Sequence, residues 1–175
     1  MPDAPPDRSD RETQVERGGT KSRRPAESPD RAAERLEQAA LRYLTRHDRT
    51  EAQVRTYLER AGAAPELAEA LLARFCRRGY VNDAVYAGRW AAAKLAQRPM
   101  GRARLEAELT AQGFEPVTVA AALAQAYEGC SEQELAHILL SRRGRSQPAA
   151  KQAALLRRHG FDDDIIQHCV GDQGA

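Results

Sequence analysis

Apolar residues recur along this chain at the three-and-four spacing of helices, and one phrase of that pattern occurs three times. Leu58, Leu109 and Leu156 each stand four residues before a glycine: Gly62, Gly113 and Gly160. Six residues after each glycine comes Ala68, Val119 or Ile166, and ten after it Leu72, Leu123 or Val170. The glycines are 51 and 47 residues apart, the period of a two- or three-helix repeat. A small helical unit cannot bury its apolar face alone, so the copies are expected to stack and share a continuous core. Such an array offers a long surface for a large partner rather than a pocket for a small molecule.

The polar punctuation between the apolar phrases is equally regular. Pro65, Pro99, Pro116 and Pro148 fall at or just before helix starts, where a missing N–H costs little. Thr50-x-x-Gln53 and Ser131-x-x-Glu134 read as capping boxes. Gly62, Gly79, Gly113 and Gly160 follow helical runs, as left-handed C-terminal caps do, and an alanine at Gly113 is expected to cost about 1 kcal/mol. The pattern predicts helices over 31–47, 51–61, 65–78, 83–97, 102–112, 116–127, 132–143, 148–159 and 163–170. Grouped in threes, they make an all-α tandem array of three three-helix repeats (31–81, 82–130 and 131–175), curved and elongated. Residues 1–30 hold five of the nine prolines and almost no core-forming side chains, which predicts a disordered N-terminal tail.

Composition narrows the function. Hydrophobic residues make up 42% but aromatics only 5%, so alanine does much of the packing, which favours helices over sheets. No stretch approaches a membrane span, and the N-terminus lacks the apolar run of a secretory signal. Cys76, Cys130 and Cys169 are scattered and odd in number, as in a reducing compartment, so the expected location is the cytoplasm. His47, His137, His159 and His168 do not pair at helical spacing with each other or with a cysteine, and adjacent His168 and Cys169 would point about 100° apart on a helix. Asp162, Asp163 and Asp164 sit at a helix start, where negative charge suits the dipole. No cofactor, no metal and no catalytic residue is expected, and the chain does not read as an enzyme.

Net charge is only +2, but its distribution is segregated. Arg89, Lys94, Arg98, Arg102 and Arg104 form an acid-free block, and Arg142, Arg143, Arg145, Lys151, Arg157 and Arg158 form another. Between them lie six glutamates with no lysine or arginine. Two basic blocks of this kind are candidate contacts to nucleic-acid phosphates or to an acidic partner surface. Arginine, 24 of the 27 basic residues, suits both through its planar donor fork. Tyr86 and Trp90 share a helix face, and Tyr43, Tyr57, Phe75, Phe114 and Phe161 read as inter-helix core.

The junctions carry a more specific signal. Gly79-Tyr80-Val81-Asn82-Asp83-Ala84-Val85-Tyr86-Ala87 couples a C-terminal glycine, an apolar link and an Asn cap. Gly101-Arg102-Ala103-Arg104-Leu105-Glu106-Ala107-Glu108-Leu109 then leads to Gly113. With Ala40-Leu41-Arg42-Tyr43-Leu44 and the closing Arg157-Arg158-His159-Gly160-Phe161, residues 36–170 strongly resemble the RecX family of recombination regulators. Val85 stands where members often carry arginine, and Ala63 replaces a bulky residue. The resemblance implies a modulator of the RecA recombinase that binds in the groove of RecA filaments on single-stranded DNA. It would suppress ATPase, strand-exchange and coprotease activity in DNA repair and the SOS response, with no catalytic residue of its own. The expected partners are RecA and its filament, with DNA contacted directly through phosphates, and no membrane or small-molecule substrate. The expected state is a monomer. Two alternatives read the same helices as a helix-turn-helix-like DNA-binding protein or as a helical scaffold for other proteins.

Overall fold

The computed structural model describes residues 28–144 and 146–171. Among the described residues are nine helices and no strand: α1 (Pro29–Leu44), α2 (Glu51–Arg60), α3 (Pro65–Arg77), α4 (Asp83–Gln97), α5 (Arg102–Ala111), α6 (Pro116–Ala126), α7 (Glu132–Arg143), α8 (Ala149–Arg158) and α9 (Asp163–Gly171). Their order and number match the sequence expectation. The expected tail over residues 1–27 lies outside the described residues, but residues 28–30 do not belong to it. Ser28 caps α1 by accepting the Arg31 N–H, and Pro29 takes the first helical position, where its lack of an N–H is harmless. At its other end α1 stops at Leu44 rather than continuing to 47. Thr45 closes it, its N–H donating to the Leu41 carbonyl at 3.0 Å and its hydroxyl to the Arg42 carbonyl at 2.9 Å.

The Ser131 capping box forms in full, with the Glu134 N–H donating to the serine hydroxyl and the Ser131 N–H to the Glu134 carboxylate. The Thr50 box forms only in half. Thr50 accepts the Gln53 N–H at 3.2 Å, but the Gln53 side chain turns outward to donate to the Gln112 carbonyl at 3.2 Å. That carbonyl is one of the orphans at the end of α5, and it outcompetes the local cap.

Gly62, Gly79, Gly113 and Gly160 all take positive φ, between 72° and 91°. Helix pairs in close contact fall within three successive units, α1–α3, α4–α6 and α7–α9. The core is not continuous through all three. Leu36, Val54, Leu58, Leu71, Leu72 and Phe75 close one cluster inside the first unit, whereas Leu105, Leu109, Phe114, Leu139, Leu156 and Ile166 belong to one core shared by the second and third. Phe75, Phe114 and Phe161 are buried as expected, and Tyr43 stacks on Tyr57 with ring centroids 4.4 Å apart.

One docking contact joins successive units, and it is made twice. At the first seam the N-terminus of α2 meets the turn between α5 and α6. The Thr50 hydroxyl donates to the Gln112 carbonyl at 3.3 Å, and the Glu51 N–H donates to Asp83 Oδ1 at 3.0 Å. At the second seam the N-terminus of α5 meets the turn between α8 and α9. The Gly101 N–H donates to the His159 carbonyl at 2.9 Å, and the Arg102 N–H to Glu132 Oε1 at 3.0 Å. Asp83 and Glu132 each open the first helix of the following unit, so the pattern repeats residue for residue. Within the second unit, the Tyr127 hydroxyl donates to the Met100 carbonyl at 2.9 Å and fixes the chain just ahead of Gly101.

These contacts grade the three repeat glycines. A Cβ on Gly62 would meet nothing within 4 Å, one on Gly113 would lie 3.2 Å from the Ala52 Cβ, and one on Gly160 would lie 2.4 Å from the Arg104 Cβ. Gly62→Ala should therefore cost only the left-handed backbone strain, about 1 kcal/mol. Gly160→Ala should cost about 1–3 kcal/mol more through overpacking, with Gly113→Ala between them. Denaturant midpoints of the three variants would check this, and a ranking with Gly62→Ala worst would sink it.

Candidate functional site

Ion pairs within the units and across the seams consume much of the positive charge that the two basic blocks offer. Arg89 reaches Asp48 at 2.7 Å, Lys94 and Arg104 share Glu108 at 3.2 Å each, Arg102 reaches Glu132 at 3.6 Å, and Arg157 reaches Asp163 at 3.0 Å. Glu108 and Glu132 come from the acidic stretch between the two basic blocks, so folding mixes charges that the chain keeps apart. Burial pushes the Glu108 carboxyl up, but hydrogen bonds from Arg104 and Lys94 outweigh it, and it titrates below the ordinary carboxylate range. Lys94 also lies 4.6 Å over the Trp90 ring, and the Arg102 guanidinium 4.5 Å over Tyr127. The Arg104 guanidinium donates across the second seam to the Arg158 carbonyl at 3.0 Å. Arg102 and Arg104 thus hold units together.

Among the described residues Arg98, Arg142, Arg143, Lys151 and Arg158 make no ion pair. Arg145 lies outside the described residues. Three of the five come together: Arg143, Lys151 and Arg158 line a cleft of about 420 Å³ with Gln147, Ala154 and Leu155, and no acid lines it. Local structure explains the gathering. Lys151, Ala154 and Arg158 sit at three- and four-residue spacing on one face of α8. Buried Gln152 donates to the Gly144 and Gln147 carbonyls at 3.2 and 3.1 Å, folding the loop back so that Arg143 at the end of α7 reaches α8. His159, 4% exposed, follows Arg158 at the end of α8, and its Nδ1–H donates to the carbonyl of cleft-lining Leu155 at 2.9 Å. Burial holds its pKa below the ordinary imidazole value, and the charges of Arg104, Arg158 and Arg143 add to this against the opposing carbonyl bond. A cluster of three cations with no carboxylate among its lining residues is suited to bind a polyanion.

Some features had only a faint sequence signal. Tyr80 and Val85, in the junction motif, are 51% and 53% exposed and share a cleft with Asp48, Arg49 and Arg89. Gln53 and Gln112 read as a cap and a helix end, and only docking shows that they join two units. Trp90 and Tyr86 pack partly buried against the shared core, with Tyr86 edge-on to Phe114 at 5.3 Å. Burial, with Glu51 beside it, pushes the Cys76 thiol up to about 11, so it is a poor nucleophile. The Cys169 sulfur lies 3.7 Å from Nε2 of His137, not beside His168. Among the described residues no group of His, Cys, Asp and Glu is placed to hold a metal ion, and no helix is long and apolar enough to cross a membrane.

Two family models match the chain: RecX, first three-helix domain, over residues 38–75, and RecX, second three-helix domain, over residues 82–123. Regulatory protein RecX of Thermobifida fusca is 32% identical over 153 residues, covering 83% of this chain and 82% of the relative. Regulatory protein RecX of Streptomyces coelicolor is 31% identical over 169 residues, covering 91% and 89%. The crystal structure of RecX from Lactobacillus salivarius superposes with a TM-score of 0.70 at 20% identity, covering 81% of this chain and 96% of that one. A second crystal structure of regulatory protein RecX gives 0.68 at 22% identity, covering 82% and 73%. At those identities the two structures speak for the fold.

The His159 environment sets a pH dependence. An imidazole whose folded pKa is depressed contributes stability that is fully present above its unfolded pKa, about 6.5, and lost as pH falls through the folded value. The denaturation midpoint should therefore drop as pH is lowered from about 7.5 to 5.5. The drop should be smaller in His159→Gln, which removes the titrating group. Equal pH slopes for both proteins would rule out His159 as its source.

Proposed function

This chain belongs to the RecX family, and from that premise we propose that it binds RecA and its filaments on single-stranded DNA and restrains RecA's ATPase, strand-exchange and coprotease activities. In this reading it is a cytoplasmic regulator of DNA repair and the SOS response that acts by binding, without turnover of its own. The observation that carries the DNA-facing part is the acid-free cleft of Arg143, Lys151 and Arg158. Cations already paired at a seam must lose one partner to gain another, whereas these three meet a phosphate with no such exchange. A tandem array also places several contact regions at fixed separations, so modest interactions with successive subunits of a helical filament add up. Tyr80 and Val85, exposed beside Arg49 and Arg89, supply an apolar and aromatic region of the kind that anchors protein partners.

RecA ATPase on single-stranded DNA, titrated with this protein, tests the reading. The intact protein should inhibit at or below equimolar ratio, and no inhibition of the cognate RecA would overturn the regulator assignment. The triple variant Arg143→Ser, Lys151→Ser, Arg158→Ser tests the cleft separately. Phosphate contact by the five unpaired candidate cations would put the slope of log K against log salt for single strands at about −3.5, and the triple variant should make it shallower by about 2. A folded variant with an unchanged slope would remove the cleft from the DNA contacts and leave regulation to protein surfaces.

A further inference from the structure

The seam that joins the units leaves one unmatched half at each end of the array. Thr50, Gly101 and Pro148 each stand twelve residues before their own unit's glycine, so α2, α5 and α8 begin in the same register. Two positions further in, all three carry alanine: Ala52, Ala103 and Ala150. The next position holds a long donor in each case, Gln53, Arg104 or Lys151. The first two donors reach carbonyls just ahead of the following unit's glycine, Gln112 and Arg158. Among the described residues no further unit stands beyond the third to meet Lys151, and its side chain makes no hydrogen bond or ion pair among them. Residues 148–151 are exposed.

The opposite end offers the complementary half. Gly62 has the left-handed backbone of Gly113 and Gly160, yet open space lies where they receive a neighbour. Ala61 and Gly62 are exposed, and no donor among the described residues reaches the carbonyls of Arg60 and Ala61. Each internal seam also uses a carboxylate from the start of the following unit's first helix, Asp83 or Glu132, to accept a helix N-terminal N–H. Here α1 carries exposed Asp30 and Glu34 in its first two turns, neither in an ion pair among the described residues.

We infer that the N-terminus of α8 in one copy docks on the Gly62 turn of a second copy, repeating between chains the part of the internal seam made by the two later donors, here the Ala149 N–H and Lys151, since Pro148 has no N–H to give. A heterologous contact of this kind does not close into a dimer but continues as an open row, with the third unit of one chain followed by the first unit of the next. The seam is small and built largely from hydrogen bonds, so free chains stay monomeric at ordinary concentration. Copies fall into line where something concentrates them. The inference rests on the fold and the repeated seam, not on the proposed partner. Lys151 also lines the cationic cleft, so a phosphate there and a second copy compete for its ammonium group.

Cross-linking tests it. Ala61→Cys and Ala150→Cys, both at exposed positions, are placed in a background with Cys76→Ala and Cys130→Ala, leaving buried Cys169. Nuclease-treated protein at about 1 mM, where even a millimolar contact is populated, is treated with a short bismaleimide. The double variant should give a ladder of dimers, trimers and larger species, and mixing the two single variants should give dimers only. A partner variant with Val117→Cys in place of Ala61→Cys, 77% exposed and away from both ends, should give no ladder. Absence of the ladder, an equal ladder through Val117→Cys, or cross-linking of either single variant alone would overturn the inference. A ladder seen only when oligonucleotide is added back would do so too, because nucleic acid would then be what joins the chains.

Discussion

The structure depends on how closely a helix N-terminus can approach the backbone of the next unit. A Cβ on Gly101 would lie 2.0 Å from the Gly160 carbonyl oxygen, so the second seam closes only where neither glycine has a side chain. That approach brings the Gly101 N–H to the His159 carbonyl, while Arg104 at the start of α5 reaches the Arg158 carbonyl and Glu132 takes the Arg102 N–H. The glycines serve two purposes at once: they turn the chain out of one helix and leave room for the next unit's neighbour. At the first seam the small side chain of Ala52 faces Gly113, its Cβ 3.2 Å from where a Cβ on that glycine would stand.

Charge follows from that docking. The seams draw Arg102 to Glu132 and bring Arg104 to the Arg158 carbonyl, and Glu108 and Glu132, from the stretch between the two basic blocks, become partners of the first block. Of the candidate cations in the two blocks, those left without an ion pair among the described residues are concentrated on the third unit. The two basic blocks thus differ in role. The first mostly holds the array together, and the second presents cations to the outside.

The two seams differ in what backs them. Behind the second lies the common core of units two and three, with Leu105, Leu139, Leu156 and Phe161 in one cluster. The first has no such backing, because Phe75, Leu58 and Val54 close their own core inside unit one. Its attachment rests on the bonds of Thr50, Glu51 and Gln53 and on the exposed Arg89–Asp48 pair, which contributes little on its own. A helical array can therefore hold one firm pair of units and one unit attached mainly by directional contacts.

Helix order, the four left-handed glycines and the three-unit period were legible in the chain because caps, prolines and C-terminal glycines act within about four residues. The junction motifs carried the family for the same reason, since they are contiguous. The departures were local contests lost to distant groups: Gln53 left its own cap for the Gln112 carbonyl, 59 residues away. Which candidate cations stay free could not be read from spacing, because Arg102 and Glu132 are 30 residues apart and Arg89 and Asp48 are 41 apart. The sequence by itself determined where each helix begins and ends, through short-range backbone chemistry. Only the tertiary structure decided which apolar clusters merge and which arginines remain available, because both depend on how whole units dock.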